Sequence, residues 1–171
     1  IDEWVRNNSN KKFDNDGELA KAGKVDQLIL NQAIDNFKIN SYSQSLDVKN
    51  FDVSFARGLS LEDGCATITD FTAYLVVEGL KHISQKNSIT FLLCGGGRKN
   101  SYLINRIKNY ISDEKNITLD IIDNYNLKGD YIESQAFAFL AIRSFLNLPI
   151  SFNSTTGCKG FTVGGKLVQN F

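Results

Sequence analysis

Ser88-Ile89-Thr90-Phe91-Leu92-Leu93-Cys94 runs directly into Gly95-Gly96-Gly97-Arg98-Lys99-Asn100, and this junction decides the fold. The run before the glycines is apolar and rich in β-formers, which predicts a short buried strand. The glycines predict a tight loop. Asn100 reads as the N-cap of a helix, because Leu103, Ile107 and Ile111 then recur on one face. Ile117 to Ile122 reads as a second strand. Strand, helix and strand in that order normally lay two parallel strands into one sheet, so the expected class is α/β.

Downstream, Asp130 opens a long helix. Asp130 and Glu133 have capping-box spacing, and Ile132, Ala136, Phe137, Leu140, Ala141 and Phe145 give it a wide apolar face. Pro149 stops it. Ser151 to Phe171 reads as loop with a short final strand. Upstream, Asp63 to Ser84 reads as a helix carrying Ala66, Phe71, Leu75, Val76, Leu80 and Ile83, with His82 suited to its C-terminal dipole. Phe51 to Leu59 is an ordered connection. Asp14-Asn15-Asp16-Gly17 opens a further helical stretch over Glu18 to Asn36. An EF-hand register on Gly17 would put Lys12 and Gly23 where acids are needed, so these aspartates are read as helix caps.

The 171 residues suit one domain, and 42% apolar content suits a globular core. Nineteen basic and nineteen acidic side chains cancel, which removes the electrostatic footprint of a nucleic-acid or anionic-membrane binder. No apolar run reaches the ~18 residues of a membrane span. Nothing at the start reads as a signal peptide. Cys65, Cys94 and Cys158 are too sparse for a disulfide framework and form no C-x-x-C pair, so reduced cytoplasmic thiols are expected. A single histidine excludes H-E-x-x-H zinc chemistry. The chain holds no methionine and opens Ile-Asp-Glu-Trp, the expectation being a processed, trimmed or partial polypeptide.

Two features carry candidate chemistry. Gly95, Gly96 and Gly97 allow close backbone approach, and the following helix N-terminus would offer N–H groups and a positive dipole end to a nucleotide. No Gly-Lys-Ser/Thr follows, so this is not a P-loop. A dinucleotide fingerprint is imperfect, with Asn100 at its last glycine, although Asp123 could serve as the ribose-binding acid. Glu133 is the second candidate, able to orient water from a cleft or simply to cap its helix. Thr67, Thr69, Thr155 and Thr156 could line a polar pocket or bond to backbone. Cys94 reads as a buried, inert thiol.

Several motifs together resemble the anhydro-N-acetylmuramic acid kinase family. Leu93 to Asn100 is similar to its C-G-G-G-x-x-N loop, and Asp130 to Ala141 resembles its D-x-x-E-A-x-x-F-A-W-L-A helix. Ala66 to Ala73 resembles A-T-L-T-A-F-T-A, and Asp14 to Gly17 with Gly23-Lys24-Val25 resembles D-x-D-G…G-K-V. Leu148 to Phe152 and Thr155-Thr156-Gly157 resemble the closing L-P-I-S-F…T-T-G. The order is kept nearly end to end.

The resemblance implies a ribonuclease-H-like mixed sheet with flanking helices, one lobe of a two-lobe sugar kinase of the actin, hexokinase and heat-shock-ATPase superfold. It implies a reaction in cell-wall recycling of bacteria. ATP and magnesium open the 1,6-anhydro ring of anhydro-N-acetylmuramic acid with water and phosphorylate its 6-oxygen. Carried over, Gly95, Gly96, Gly97 and Asn100 contact the nucleotide, and Glu133 faces the sugar and helps polarise the attacking water. The family's catalytic aspartate, in F-D-x-G-P-G-N, is absent, as is the N-terminal lobe. Residues 1–171 are therefore expected to be the C-terminal nucleotide-binding lobe, inactive alone, of a cytoplasmic enzyme that is a homodimer at full length. Gln44 replaces a family lysine, and Phe139 the tryptophan of the last helix. Two other readings stay open: a small dinucleotide-binding domain, and a non-catalytic interaction module.

Overall fold

The computed structural model describes residues 1–37, 50–84 and 88–168. Its spine is α4 (Leu61–Ser84), with α1 (Asp2–Asn8), α2 (Glu18–Ala22) and α3 (Gln27–Asn36) packed on it. The Ser60 hydroxyl accepts from the Asp63 amide at 3.0 Å and caps the helix start. Glu62 and Asp63 lie in its first turn, Lys81 and His82 in its last, which suits the dipole at both ends. Every residue from Gly64 to Phe71 is buried, so this stretch of α4 is enclosed on all sides. Gly64 lets the Trp4 ring lie directly on the helix, where a Cβ would collide with the indole. The indole Nε1 then donates to the Leu61 carbonyl at 3.0 Å.

The helix expected over Glu18 to Asn36 is two helices. Gly23 lies so close to the Glu62 carbonyl that a side chain would collide with it. The first turns of α4 also capture the chain that follows: the Lys24 amide donates to Asp63 at 2.8 Å, and the Asp26 amide to the Thr67 hydroxyl at 3.0 Å. These amides are spent on a neighbour and cannot continue α2. Asp26 then caps α3 by accepting from the Ile29 amide at 3.0 Å. The capping reading also holds for Asp14, whose buried carboxylate accepts from the Leu19 and Ala20 amides at 2.8 and 3.1 Å.

The strand–helix–strand unit forms as expected. β1 (Ile89–Leu93) and β2 (Ile117–Ile121) pair in parallel, from Ile89 opposite Ile117 to Leu93 opposite Ile121. The crossover is α5 (Ser101–Tyr110), whose Ile107, with Ile111 just beyond, packs against Ala73 and Val77 of α4. Two expectations here need correction. β1 is not buried but alternates half-buried and exposed residues, and Cys94 at its end is exposed. The cause is the small sheet, in which β2 is the only strand that the described residues pair with β1.

α6 (Ile132–Phe145) also departs from expectation. It starts after Asp130, whose carboxylate is bound elsewhere, and among the described residues no side chain caps its N-terminus. Its apolar face is present, but Phe137, Phe139, Ile142 and Phe145 are 58–69% exposed. Val76 and Ile83 of α4 likewise face outward. The tail forms α7 (Asn153–Thr156) and a Ser151–Thr162 antiparallel bridge, a remnant of the expected final strand. Among the described residues, no helix is long and apolar enough to cross a membrane. Gln44 and its neighbours lie outside the described residues.

Candidate functional site

The chain leaves β1 through Gly95, at φ 73 and ψ −175, a conformation essentially restricted to glycine. A 3-10 turn over Gly96–Lys99 follows, and Asn100 begins α5 by accepting from the Leu103 amide at 2.9 Å. Among the described residues, Cβ atoms added at Gly95 or Gly96 would meet nothing within 4 Å, and one at Gly97 only the Leu103 side chain at 3.9 Å. The backbone of the turn is thus open to a ligand. Gly96, Gly97, Lys99 and Asn100 rim a cleft of about 750 Å³ whose other wall includes Phe13, Asp16 and Phe51.

That opposite wall reaches across to α5. The Asp16 carboxylate accepts from the Ser101 amide at 3.1 Å, and the Ser101 hydroxyl donates to the Asp16 carbonyl at 3.3 Å. Lys21 holds the other Asp16 oxygen at 2.8 Å, and these bonds, Lys21 first, lower its carboxyl to about 2. Gly17, at φ 72, leaves the space that Asn100 and Tyr102 fill. This corrects one expectation. The α5 N-terminus is not an open anion site, because the Ser101 and Leu103 amides already serve Asp16 and Asn100.

Asp123 is likewise occupied. Arg98 Nε and Nη2 grip its two oxygens at 2.6 and 3.2 Å, and the Gly129 amide donates to it at 3.3 Å. The ribose-binding role that a dinucleotide domain requires of Asp123 conflicts with this ion pair. Asp130 is bound at 2.8 Å by Arg98 and at 2.9 Å by Lys99, which replaces the expected capping box. Glu133 sits exposed on the first turn of α6 and does not line the cleft; it connects to the glycine turn through Asp130.

The candidate threonines divide. Thr67 is buried and structural, donating to the Asp63 carbonyl at 2.8 Å. Thr69 is buried on α4, where its hydroxyl has no hydrogen-bond partner among the described residues. Thr155 and Thr156 are exposed and bond to Phe152. Sequence reasoning missed Arg98 and Gly129. The signal was present: parallel strands end at the same sheet edge, so loops after β1 and β2 are neighbours, and one carries Arg98 while the other carries Asp123.

The Asp130 carboxyl is lowered to about 2, first by Arg98 and then by Lys99. A depressed carboxyl stabilises the fold fully above its unfolded value of 3.8, and that contribution disappears as pH falls through about 2. A carboxyl-detected NMR titration should place Asp130 near 2 in the parent chain and near 3.8 once Arg98→Gln and Lys99→Gln are combined. An unmoved midpoint would show that these cations do not set it.

Fold and site together define a mixed α/β unit with a glycine turn at a strand–helix junction. Comparison with known proteins gives the family. The family model for anhydro-N-acetylmuramic acid kinase matches residues 1–170. The chain is 47% identical to the anhydro-N-acetylmuramic acid kinase of Pelagibacter ubique (strain HTCC1062), covering 100% of this chain and 46% of that protein. It is 33% identical to the kinase of the same name from Rhizobium rhizogenes (strain K84), over 99% of this chain and 44% of the relative. A third, from Zymomonas mobilis, is 32% identical over 98% of this chain and 45% of its own length. This chain belongs to the anhydro-N-acetylmuramic acid kinase family. It spans about half the length of the curated relatives it matches.

Proposed function

We propose that this chain is the C-terminal, nucleotide-binding half of a two-lobed, ribonuclease-H-like kinase. Its reaction is hydrolytic opening and 6-phosphorylation of 1,6-anhydro-N-acetylmuramic acid in the cytoplasm. The observation that carries the reading is the open glycine turn between a parallel strand and a helix, on the rim of a cleft. Gly95, Gly96 and Gly97 admit the nucleotide to the backbone, and Asn100 fixes the α5 end of that turn. ATP supplies the transferred phosphoryl group, and magnesium travels with its phosphates. Glu133, exposed at the foot of α6, faces the sugar and orients the attacking water.

Phosphoryl transfer needs groups on both sides of the phosphate. The second set belongs to the other lobe, so the isolated chain binds nucleotide weakly and turns nothing over. The exposed apolar face of α6 favours a surface covered in the whole enzyme, which the family resemblance makes a homodimer. Calorimetric titration tests the reading, with ADP expected to bind more tightly than NAD. A preference for NAD would support the dinucleotide-binding alternative. Turnover of the anhydro-sugar by the chain alone would contradict its being half a site.

A further inference from the structure

Arg98 follows three glycines in an open turn, yet its side chain is only 7% exposed. One planar cation there joins three separate segments. Two of its nitrogens fork onto Asp123, just after β2. Its Nη1 donates to the Gly95 carbonyl of its own turn and to Asp130 before α6, each at 2.8 Å. The Gly95 amide in turn donates to the Gly129 carbonyl at 3.1 Å. Gly129 must be glycine for this to assemble, because a Cβ would collide with the Arg98 guanidinium.

We infer that Arg98 is a positioning residue for the proposed nucleotide site, and this rests on that reading of the glycine turn. It clamps the Gly95 carbonyl against the segment leading into α6, so that the turn and the Glu133 end of α6 hold one fixed geometry. The planar fork is essential. A lysine keeps the charge but is a point donor that cannot serve Asp123 bidentately while also holding Gly95 and Asp130. Each glycine-turn contact to a nucleotide is then set from β2 and α6 as well as from β1.

The test uses the full chain with Arg98→Lys, which removes the fork, and Gly129→Ala, which displaces it without changing charge. Amide hydrogen exchange is read without ligand, and ADP affinity by calorimetry. In both variants exchange should rise about tenfold at the bonded amides of Gly95 and Asn100 and at those of Tyr131 and Gln135 together, with α3 and α4 unchanged. ADP affinity should fall about tenfold. The melting temperature should move by no more than about 4 °C, which separates a local loosening from general unfolding. Exchange that rises at the turn alone, or at neither segment, overturns the inference. So does an ADP affinity within about twofold of the parent in both variants. A parent chain that fails to bind ADP removes the nucleotide reading instead, and the paired exchange result still decides what Arg98 holds.

Discussion

Asp70→Ala should cost about 3 kcal/mol of stability. Asp70 is 1% exposed on α4, and its two oxygens accept from Arg106 Nε and from the Tyr110 hydroxyl, both on α5. Arg106 also lies over the Tyr110 ring, 5.7 Å from its centre. One carboxylate therefore organises the polar half of the α4–α5 contact, beside the apolar half formed by Ala73, Val77, Ile107 and Ile111. Truncation strands a cation and a half-buried phenol. Removing one member of a buried pair costs about 3–5 kcal/mol, and the lower end applies because the Arg106 side chain, 32% exposed, can still reach water. With a urea slope of about 2 kcal/mol/M, the midpoint should fall by about 1.5 M. Asp70→Asn keeps an acceptor in place and should lose less. A midpoint shift below about 0.3 M for the alanine variant would mean that this pair does not hold α5 in place.

The second large effect falls on the glycine turn. Gly95→Ala puts a Cβ on a backbone at φ 73 and ψ −175. No atom of the described residues stands within 4 Å of that Cβ, so the penalty is conformational and not a clash. Such a residue costs about 1–3 kcal/mol, and the turn relieves it by leaving the conformation. The Gly95 bonds to Gly129 and Arg98 then break, and ADP affinity should fall by about tenfold or more. Gly96→Ala is the contrast. Its φ lies outside the left-handed region and its surroundings are open, so stability should hold or rise by about 0.4–1 kcal/mol. Equal destabilisation by the two variants would show that the Gly95 conformation is not what shapes the turn.

The parts of the fold governed by local pattern were legible in the sequence. Asn100 as a cap, the Leu103–Ile107–Ile111 face, both strands and the length of α4 follow from residues within a few positions of one another. Three features were not legible, for a common reason. The break at Gly23 depends on Glu62 and Asp63, distant in sequence. The exposure of β1 and Cys94 depends on which strands adjoin the sheet, and local hydropathy is silent on that. Asp130 has the spacing of a capping box, yet Arg98 and Lys99 outcompete the helix amides for its oxygens. At the site, the glycines were visible because their chemistry is intrinsic. The Arg98 clamp was legible only indirectly, because its signal lies in the topology, where the loops after two parallel strands meet at one sheet edge.

We propose that nucleotide binds at the glycine turn. Titrating nitrogen-labelled chain with ADP, followed by NMR, tests it most directly. ADP should shift the amide signals of Gly95, Gly96, Gly97, Lys99 and Asn100, with those of α3 unmoved. Shifts confined to other parts of the chain, or none at ADP concentrations that saturate a weak site, would contradict it.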